Sequence, residues 1–215
     1  MSPFIVVLSS PSGGGKSTIA RQLLTGRDDL GYSVSATTRG LREGEAEGRD
    51  YFFLSRAEFV RRRDAGEFVE WAEYGGELYG TLKAELERVL SQGRHAVLDI
   101  ETDGARQVRE HYPEAVRIFI LPPSAAVLLE RLKGRNTEPV EKIRTRLAHA
   151  ADELALADEY DYVVVNDDLV TAVEHVAAIL DAEVHRVRRQ KDLSSAVRRL
   201  RMDVLAALDE LKTRA

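Results

Sequence analysis

A glycine-rich turn between an apolar run and an amphipathic segment restricts the folds open to this chain more than any other feature. The turn is residues 9–18, Ser-Ser-Pro-Ser-Gly-Gly-Gly-Lys-Ser-Thr, and the apolar run Phe4–Leu8 precedes it. A strand, a glycine turn and a helix in this order are the setting of a phosphate-binding loop. Glycines let the backbone curve round an anion, and the helix adds the positive end of its dipole. The stretch therefore predicts a P-loop α/β domain.

Within this loop, Lys16 is expected to bridge the β- and γ-phosphates of a nucleotide, and the Ser17 hydroxyl to hold a magnesium ion. The general pattern has glycine where this chain has Ser10, and a serine can bend the chain there if no positive φ is required. The alternative is a flexible glycine turn, but the preceding strand and the following Lys-Ser-Thr favour the phosphate loop. The residues expected at the nucleotide phosphates are Ser12, Gly13, Gly14, Gly15, Lys16, Ser17 and Thr18.

Composition excludes several kinds of function. The 215 residues suffice for one sizeable core, and the net charge of −5 provides no basic field for nucleic acid or an anionic membrane. The chain has no cysteine, which excludes disulfides and thiolate chemistry and fits a reducing cytoplasm. The longest apolar run cannot span a bilayer, and the first residues lack the charged region of a signal peptide. We therefore expect a cytoplasmic protein without nucleic-acid or membrane partners.

Apolar runs alternate with helical patterns, which predicts a parallel sheet flanked by helices. The predicted strands are Phe4–Leu8, Ala96–Ile100, Val116–Leu121 and Tyr162–Val165. The predicted helices are Lys16–Leu24, Leu82–Gln92, Gly104–His111, Ser124–Leu132 and Leu169–Leu180.

Three segments depart from this alternation. Residues 33–80 indicate a small mixed α+β lobe inserted into the sheet domain, with one helix at Arg56–Ala65. Residues 133–147 carry arginines on both sides of a loop, and favour either a mobile flap over phosphate or a charged surface hairpin. Residues 192–215 show a heptad-like apolar stripe, which either packs on the sheet domain or pairs with another chain as a homodimer.

The inserted lobe carries residues suited to a purine monophosphate. Two arginines and two tyrosines, Arg39, Arg42, Tyr51 and Tyr79, can together hold a phosphate dianion. Glu70, beside the hydroxyls of Ser35 and Thr81, can accept from the two N–H donors on the edge of guanine. Adenine presents the opposite pattern at those atoms, so this set favours guanine.

At these residues the chain resembles the guanylate kinase family. The resemblance runs in order from about Phe4 to Leu180. It rests on Ser-Val-Ser-Ala-Thr-Thr-Arg at 33–39, Gly-Arg-Asp-Tyr-Phe-Phe at 48–53, Phe-Val-Glu-Trp-Ala at 68–72, Tyr-Gly-Thr at 79–81, Leu-Asp-Ile at 98–100 and Val-Asn-Asp-Asp at 165–168. The resemblance implies a nucleoside monophosphate kinase that transfers a phosphoryl group from ATP to GMP with Mg²⁺.

The resemblance also implies domain limits and further roles. The P-loop core would comprise residues 1–34, 82–121 and 150–180, the GMP-binding lobe 35–81, the helical lid 122–149 and a C-terminal extension 181–215. Asp99 would organise magnesium through water, and Glu101, where the family usually has aspartate, would bind the guanine amino group. The implied residues on the ATP and lid side are Arg131, Arg135, Arg146 and Asn166, and those implied to be catalytic are Lys16, Arg39, Arg135 and Arg146.

Two other functions remain open at this point. A related kinase could act on another phosphorylated acceptor, such as a ribose phosphate, and the Glu101 departure keeps that alternative. A guanylate-kinase-like module could bind phosphopeptides without turnover, although such modules lose the working phosphate loop that Lys16 and Ser17 indicate here.

Overall fold

Strands and helices alternate along most of the chain. The computed structural model describes residues 2–133 and 140–213. The strands are β1 Ile5–Ser9, β2 Leu30–Tyr32, β3 Ser35–Thr37, β4 Phe52–Phe53, β5 Phe68–Tyr74, β6 Glu77–Leu82, β7 His95–Asp99, β8 Val116–Leu121 and β9 Tyr162–Val165. The helices are α1 Lys16–Gly26, α2 Arg56–Asp64, α3 Lys83–Ser91, α4 Thr102–His111, α5 Ala125–Lys133, α6 Val140–Leu154, α7 Leu169–Val184 and α8 Leu193–Thr213.

A parallel sheet with β1 at its centre forms the core of residues 3–177. The described strands run in the order β2-β7-β1-β8-β9, and each pairs in parallel with its neighbours. Every side chain of β1 is buried, as expected for a central strand covered by helices on both faces. The predicted α/β fold is confirmed. Because the carboxyl ends of parallel strands share one edge, the segments that follow β1, β7 and β9 come together there.

The four predicted core strands are confirmed to within one residue at each end, and the structure adds β2 as a fifth. This three-residue strand pairs with β7 at the edge of the sheet. It contains Gly31, where an added Cβ would lie 2.5 Å from the Cγ1 of Val89. The glycine lets β2 approach α3 closely, and it also removes the apolar pattern by which a strand is recognised.

A second sheet, β4-β3-β6-β5, accounts for the segment predicted as an inserted lobe. It packs with α2 round its own small core, and the rings of Phe59 and Phe68 stack there with centroids 4.4 Å apart. The helix α2 begins after Ser55, whose hydroxyl accepts from the N–H of Glu58 at 3.1 Å. Glu58 in turn pairs with two arginines of the same helix, Arg61 and Arg62.

Residue 2 and residues 178–213 form a second compact unit. In it, buried Glu183 accepts from the guanidinium of buried Arg189 at 3.0 Å. The final helix α8 carries large apolar side chains that are between 37% and 65% exposed, such as Leu193 and Leu200. Within the described residues, every helix is too short or too polar to cross a lipid bilayer.

Candidate active site

The glycine turn after β1 has the backbone of an anion-binding loop. Gly13 and Gly15 take φ values of +87° and +97°, which disfavour any side chain. Gly14 is restricted by space, because an added Cβ would lie 2.7 Å from the Cβ of Ser10. The helix α1 begins directly after Gly15, so its first N–H groups point into the loop. The side chain of Ser10, at the first position of the pattern, thus packs against Gly14.

The ammonium of Lys16 is held by two carboxylates at the carboxyl end of β7, one on its last residue and one just beyond it. Its Nζ lies 2.8 Å from Glu101 Oε1 and 3.8 Å from Asp99 Oδ1. Burial lowers the pKa of Lys16, but the two carboxylates more than compensate and keep it above its ordinary value. The lysine is therefore charged and already directed toward the carboxyl edge of the sheet.

Glu153 on α6 also belongs to this group, although no sequence motif drew attention to it. Its Oε2 accepts from the backbone N–H of Ser12 at 3.1 Å, and its carboxyl group is hydrogen-bonded to that of Glu101. Burial and the hydrogen bond to Glu101 raise the pKa of Glu153. Burial raises the pKa of Glu101 too, but Lys16 and the hydrogen bond with Glu153 lower it overall.

Arg146 lies two turns before Glu153 on α6 and reaches the same residue of the phosphate loop. Its Nη2 and Nε donate to the Oγ of Ser12 at 3.0 and 3.2 Å. The guanidinium of Arg146 therefore lies at the phosphate loop. Arg135 lies outside the described residues.

Two further predicted residues meet the loop at Gly14. The amide of Asn166, just after β9, donates to the Gly14 carbonyl at 2.9 Å. Arg131 on α5 donates to the carbonyls of Gly14 and Asn166 at 3.4 and 3.0 Å. With the loop they border a cleft of about 560 Å³. The predicted residues that line it are Gly13, Gly15, Lys16, Ser17, Thr18, Arg131, Arg146 and Asn166.

Glu70 lies at the base of a neighbouring cleft of about 300 Å³. Its side chain is buried, and its Oε1 accepts from the hydroxyl of Thr81 at 2.7 Å. On the other side Gly104 leaves room for Oε2, because an added Cβ would lie 2.5 Å from that oxygen. Burial raises the pKa of Glu70 to about 7, against the hydrogen bonds from Thr81. The carboxyl group is therefore poised to ionise when donors reach it.

Arg39 and Tyr79 also line this cleft. The guanidinium of Arg39 is hydrogen-bonded to Tyr79 and lies 5.1 Å from the ring centroid of Tyr51. The guanidinium also forms a bidentate salt bridge with Glu45, in which Nη2 donates to Oε1 at 2.8 Å and Nη1 to Oε2 at 2.9 Å. That hydrogen bond holds the pKa of Glu45 at about 2. The pairing of Glu45 with Arg39 cannot be recognised from the sequence, because a glutamate near an arginine is not part of any phosphate-binding motif.

The two clefts share Lys16 and Ser17. The predicted residues that line the second cleft are Lys16, Ser17, Ser35, Arg39, Arg42, Tyr51, Glu70, Tyr79, Asp99 and Glu101. The other predicted residues among those described, Ser12, Gly14 and Thr81, are hydrogen-bonded to side chains that line the clefts. Residues that are far apart in sequence, from 13 to 166, thus line two clefts that adjoin at Lys16 and Ser17.

Comparisons with known proteins agree with this arrangement. A family model described as guanylate kinase matches residues 2–183. The chain is 47% identical to a guanylate kinase of Symbiobacterium thermophilum over 86% of its own length and 88% of the relative. It is 49% identical to a guanylate kinase of Rubrobacter xylanophilus over 82% and 92%.

A solved structure gives the same result in three dimensions. The crystal structure of guanylate kinase from Anaplasma phagocytophilum matches with a TM-score of 0.74 and 38% identity, over 90% of this chain and 93% of that one. The family model matches most of the chain, and both relatives share nearly half of their aligned residues with it over most of their lengths. This chain therefore belongs to the guanylate kinase family.

Proposed function

We propose that this chain is a guanylate kinase, which transfers the γ-phosphoryl group of ATP to GMP and yields ADP and GDP. The observation that carries the proposal is that Lys16 and Ser17 line both clefts. A donor on the glycine loop and an acceptor beside Glu70 would therefore meet at Lys16. In-line phosphoryl transfer needs such alignment and positive charge round the transferred group, and no covalent intermediate.

Guanine is expected to bind where Glu70, Thr81 and Ser35 lie together. An ionised Glu70 would accept from N1–H and the amino group of guanine, while a hydroxyl of Ser35 or Thr81 would donate to O6. Glu101 would help to bind the amino group. AMP would leave the buried Glu70 without its donors, and a mismatch of this kind can cost on the order of 10⁴-fold in specificity.

The phosphate of GMP is expected to bind to Arg39, Arg42, Tyr51 and Tyr79. It would replace the carboxylate of Glu45 on the guanidinium of Arg39, since both anions can occupy its two parallel donors. Neutralising the acceptor phosphate matters because it would otherwise repel the γ-phosphate.

On the donor side, the loop N–H groups from Ser12 to Thr18 would bind the ATP phosphates, and Lys16 would bridge the β- and γ-groups. Asn166 and Arg131 would border the adenine side of the cleft. Arg146, with Arg135 from the same lid, would place positive charge on the transferred group, and closure of the lid would exclude water.

Ser17 and Asp99 fit the magnesium ion that accompanies ATP. The Ser17 hydroxyl donates to Asp99, and the buried Asp99 Oδ1 has no hydrogen-bond donor among the described residues. A buried carboxylate oxygen without a donor suits a metal-bound water. We assign Ser17 to the ion and Asp99 to its water. The ion, when bound, offsets negative charge on the phosphoryl group in transfer.

A coupled assay of ADP release tests the proposal. GMP, dGMP, AMP and ribose bisphosphate are compared as acceptors at one ATP concentration. We expect GMP-dependent release, with AMP poorer by about 10⁴-fold in kcat/KM. A preference for ribose bisphosphate would show a kinase with another acceptor. Absence of release with every acceptor would favour a phosphopeptide-binding module.

Domain limits, location and assembly are also proposals. We assign the core to residues 1–34, 82–121 and 150–180, the GMP lobe to 35–81 and the lid to 122–149. We place the enzyme in the cytoplasm, in purine nucleotide metabolism. The exposed apolar side chains of α8, within the extension 181–215, support a homodimer formed through that helix.

A further inference from the structure

Strand β5 is an edge strand, and a side chain of α4 completes it at one position. The N–H of Trp71 donates to Gln107 Oε1 at 3.1 Å, and Gln107 Nε2 donates to the Trp71 carbonyl at 2.7 Å. An edge strand leaves alternate N–H and C=O groups unpaired. The primary amide of Gln107 offers one acceptor and one donor, and so replaces a neighbouring strand at Trp71.

The residues on either side of this contact also meet α4. Val69 packs in the core with Ala105 and Val108 of that helix. The carboxyl group of Glu70 fits against Gly104, where a Cβ would approach Oε2 to 2.5 Å. Residues 104, 105, 107 and 108 share one face of a helix, so α4 contacts three consecutive residues of β5.

The strand is irregular at this point. The register of β5 against β6 shifts between Phe68 and Glu70, as in a β-bulge. A bulge re-aims the side chains that follow it, and it disrupts the ladder that would otherwise hold them. The position of Glu70 therefore depends on contacts from the other edge of the strand, which α4 provides.

We propose that Gln107 is a positioning residue for Glu70: by holding the backbone of Trp71, it fixes the carboxylate that reads the guanine. This inference rests on the proposed function, in which Glu70 binds GMP. A carboxylate that accepts from two donors at once tolerates little displacement, and a misplacement of about 1 Å can cost about 10²-fold.

Steady-state kinetics of the full-length protein test this role. The variants are Gln107→Ala, which loses both hydrogen bonds, and Gln107→Glu, which keeps the size and the acceptor but loses the donor. The matched control is Arg109→Ala, an exposed substitution on the same helix. Glu70→Gln is measured in parallel. Trp71 is the sole tryptophan of the chain, so its fluorescence anisotropy reports on mobility at the residue that Gln107 holds.

We expect both Gln107 variants to raise the KM for GMP, by roughly tenfold in Gln107→Ala, since the lost hydrogen bonds correspond to about one power of ten or more. The KM for ATP should stay within about twofold of wild type, as a single surface change far from the phosphate loop perturbs it little. The Trp71 anisotropy should fall in Gln107→Ala and not in Arg109→Ala.

Two results would overturn the inference while leaving the proposed function in place. One is a KM for GMP in both Gln107 variants equal to that of Arg109→Ala, with Glu70→Gln strongly impaired. The other is an equal rise in the KM for GMP and ATP, which would indicate a general loss of structure. A wild-type protein without GMP-dependent ADP release would instead refute the proposed function, and this inference with it.

Discussion

At the scale of single residues, the site depends on cations that are each paired with a carboxylate of the chain. Lys16 is paired with Glu101 and Asp99, and Arg39 with Glu45. Substrate phosphates must compete with these carboxylates. The positive charges are thereby held in place, since an isolated buried ammonium would lose its proton. At each of these cations, a bound substrate phosphate would take the place of a carboxylate of the chain.

Lys16→Ala should reduce kcat by at least about 10²–10³-fold, because it removes the charge at the point where both clefts meet. The measurement is ADP release at saturating ATP and GMP, with circular dichroism to show that the variant is folded. Lys83→Ala, an exposed lysine at the start of α3, serves as the matched control. Near-normal turnover in folded Lys16→Ala would contradict the assigned role.

Glu70→Gln should weaken GMP far more than ATP, and it should remove a pH dependence. The pKa of Glu70 is raised to about 7 by burial, with Glu101 as a further negative charge nearby. GMP needs the ionised form, so the wild-type KM for GMP should fall as the pH rises from 6 to 8, about one unit either side of that pKa. A pH-independent KM for GMP is expected in the variant. Equal weakening of both nucleotides would show the assignment of Glu70 to be wrong.

The raised pKa of Glu70 also makes the stability of the protein depend on pH, and the free energy of unfolding falls as GMP binding improves. The folded protein keeps a proton on Glu70 up to a pH of about 7, whereas an unfolded chain releases it near the ordinary value. Between these two pKa values the folded state binds more protons, so the free energy of unfolding decreases as pH rises through that window. In Glu70→Gln this contribution should be absent. Urea denaturation at pH 5 and pH 8 measures the difference.

At the scale of elements, α6 is attached to the phosphate loop at two points. Arg146 and Glu153 lie seven residues apart on one face of the helix, and both bind Ser12. Helix α6 is thus connected to the phosphate loop, and a phosphate bound at Ser12 would alter both contacts.

Glu153→Ala should destabilise this attachment by about 1–3 kcal/mol, because the Ser12 N–H loses its acceptor. Asp152→Ala, an exposed carboxylate at the adjacent position, is the control and should change stability little. Chemical denaturation of both variants is the measurement. If Glu153→Ala were as stable as Asp152→Ala, the contact would contribute nothing to the docking of α6.

What could be predicted from sequence depended on how far apart the interacting residues lie. The phosphate loop is continuous in sequence, so its strand, turn and helix were predicted together and the fold class followed. The pairing of Glu153 with Ser12 spans 141 residues, and no local pattern encodes it. The strand β2 was missed because three residues with a central glycine carry no periodicity. The roles assigned to the site residues remain predictions.

At the scale of the whole molecule, residues 3–177 carry both clefts, whereas α8 belongs to the other unit. Helix α8 has 21 residues and exposed apolar side chains, so the proposed homodimer would assemble through it. The residues that line the two clefts and helix α8 are separate in sequence. Loss of one should leave the other intact.

Ending the chain at Arg189 should convert a dimer into a monomer, as judged by analytical ultracentrifugation, without changing kcat/KM for GMP. The full-length variant Leu200→Asp should have the same effect, because it places a charge in the apolar stripe. Arg199→Ala, on the same helix but outside the stripe, is the control. An unchanged sedimentation coefficient for both altered proteins would refute assembly through α8.

The sharing of Lys16 and Ser17 by the two clefts has a pharmacological consequence. A bisubstrate inhibitor, with adenosine and guanosine joined through a chain of phosphates, would fill both clefts at once. Joining the two halves makes the second contact intramolecular, so the affinity could exceed that of either nucleotide by about 10²–10⁴-fold. Removing one phosphate from the tether should abolish that gain if the remaining length cannot span the junction.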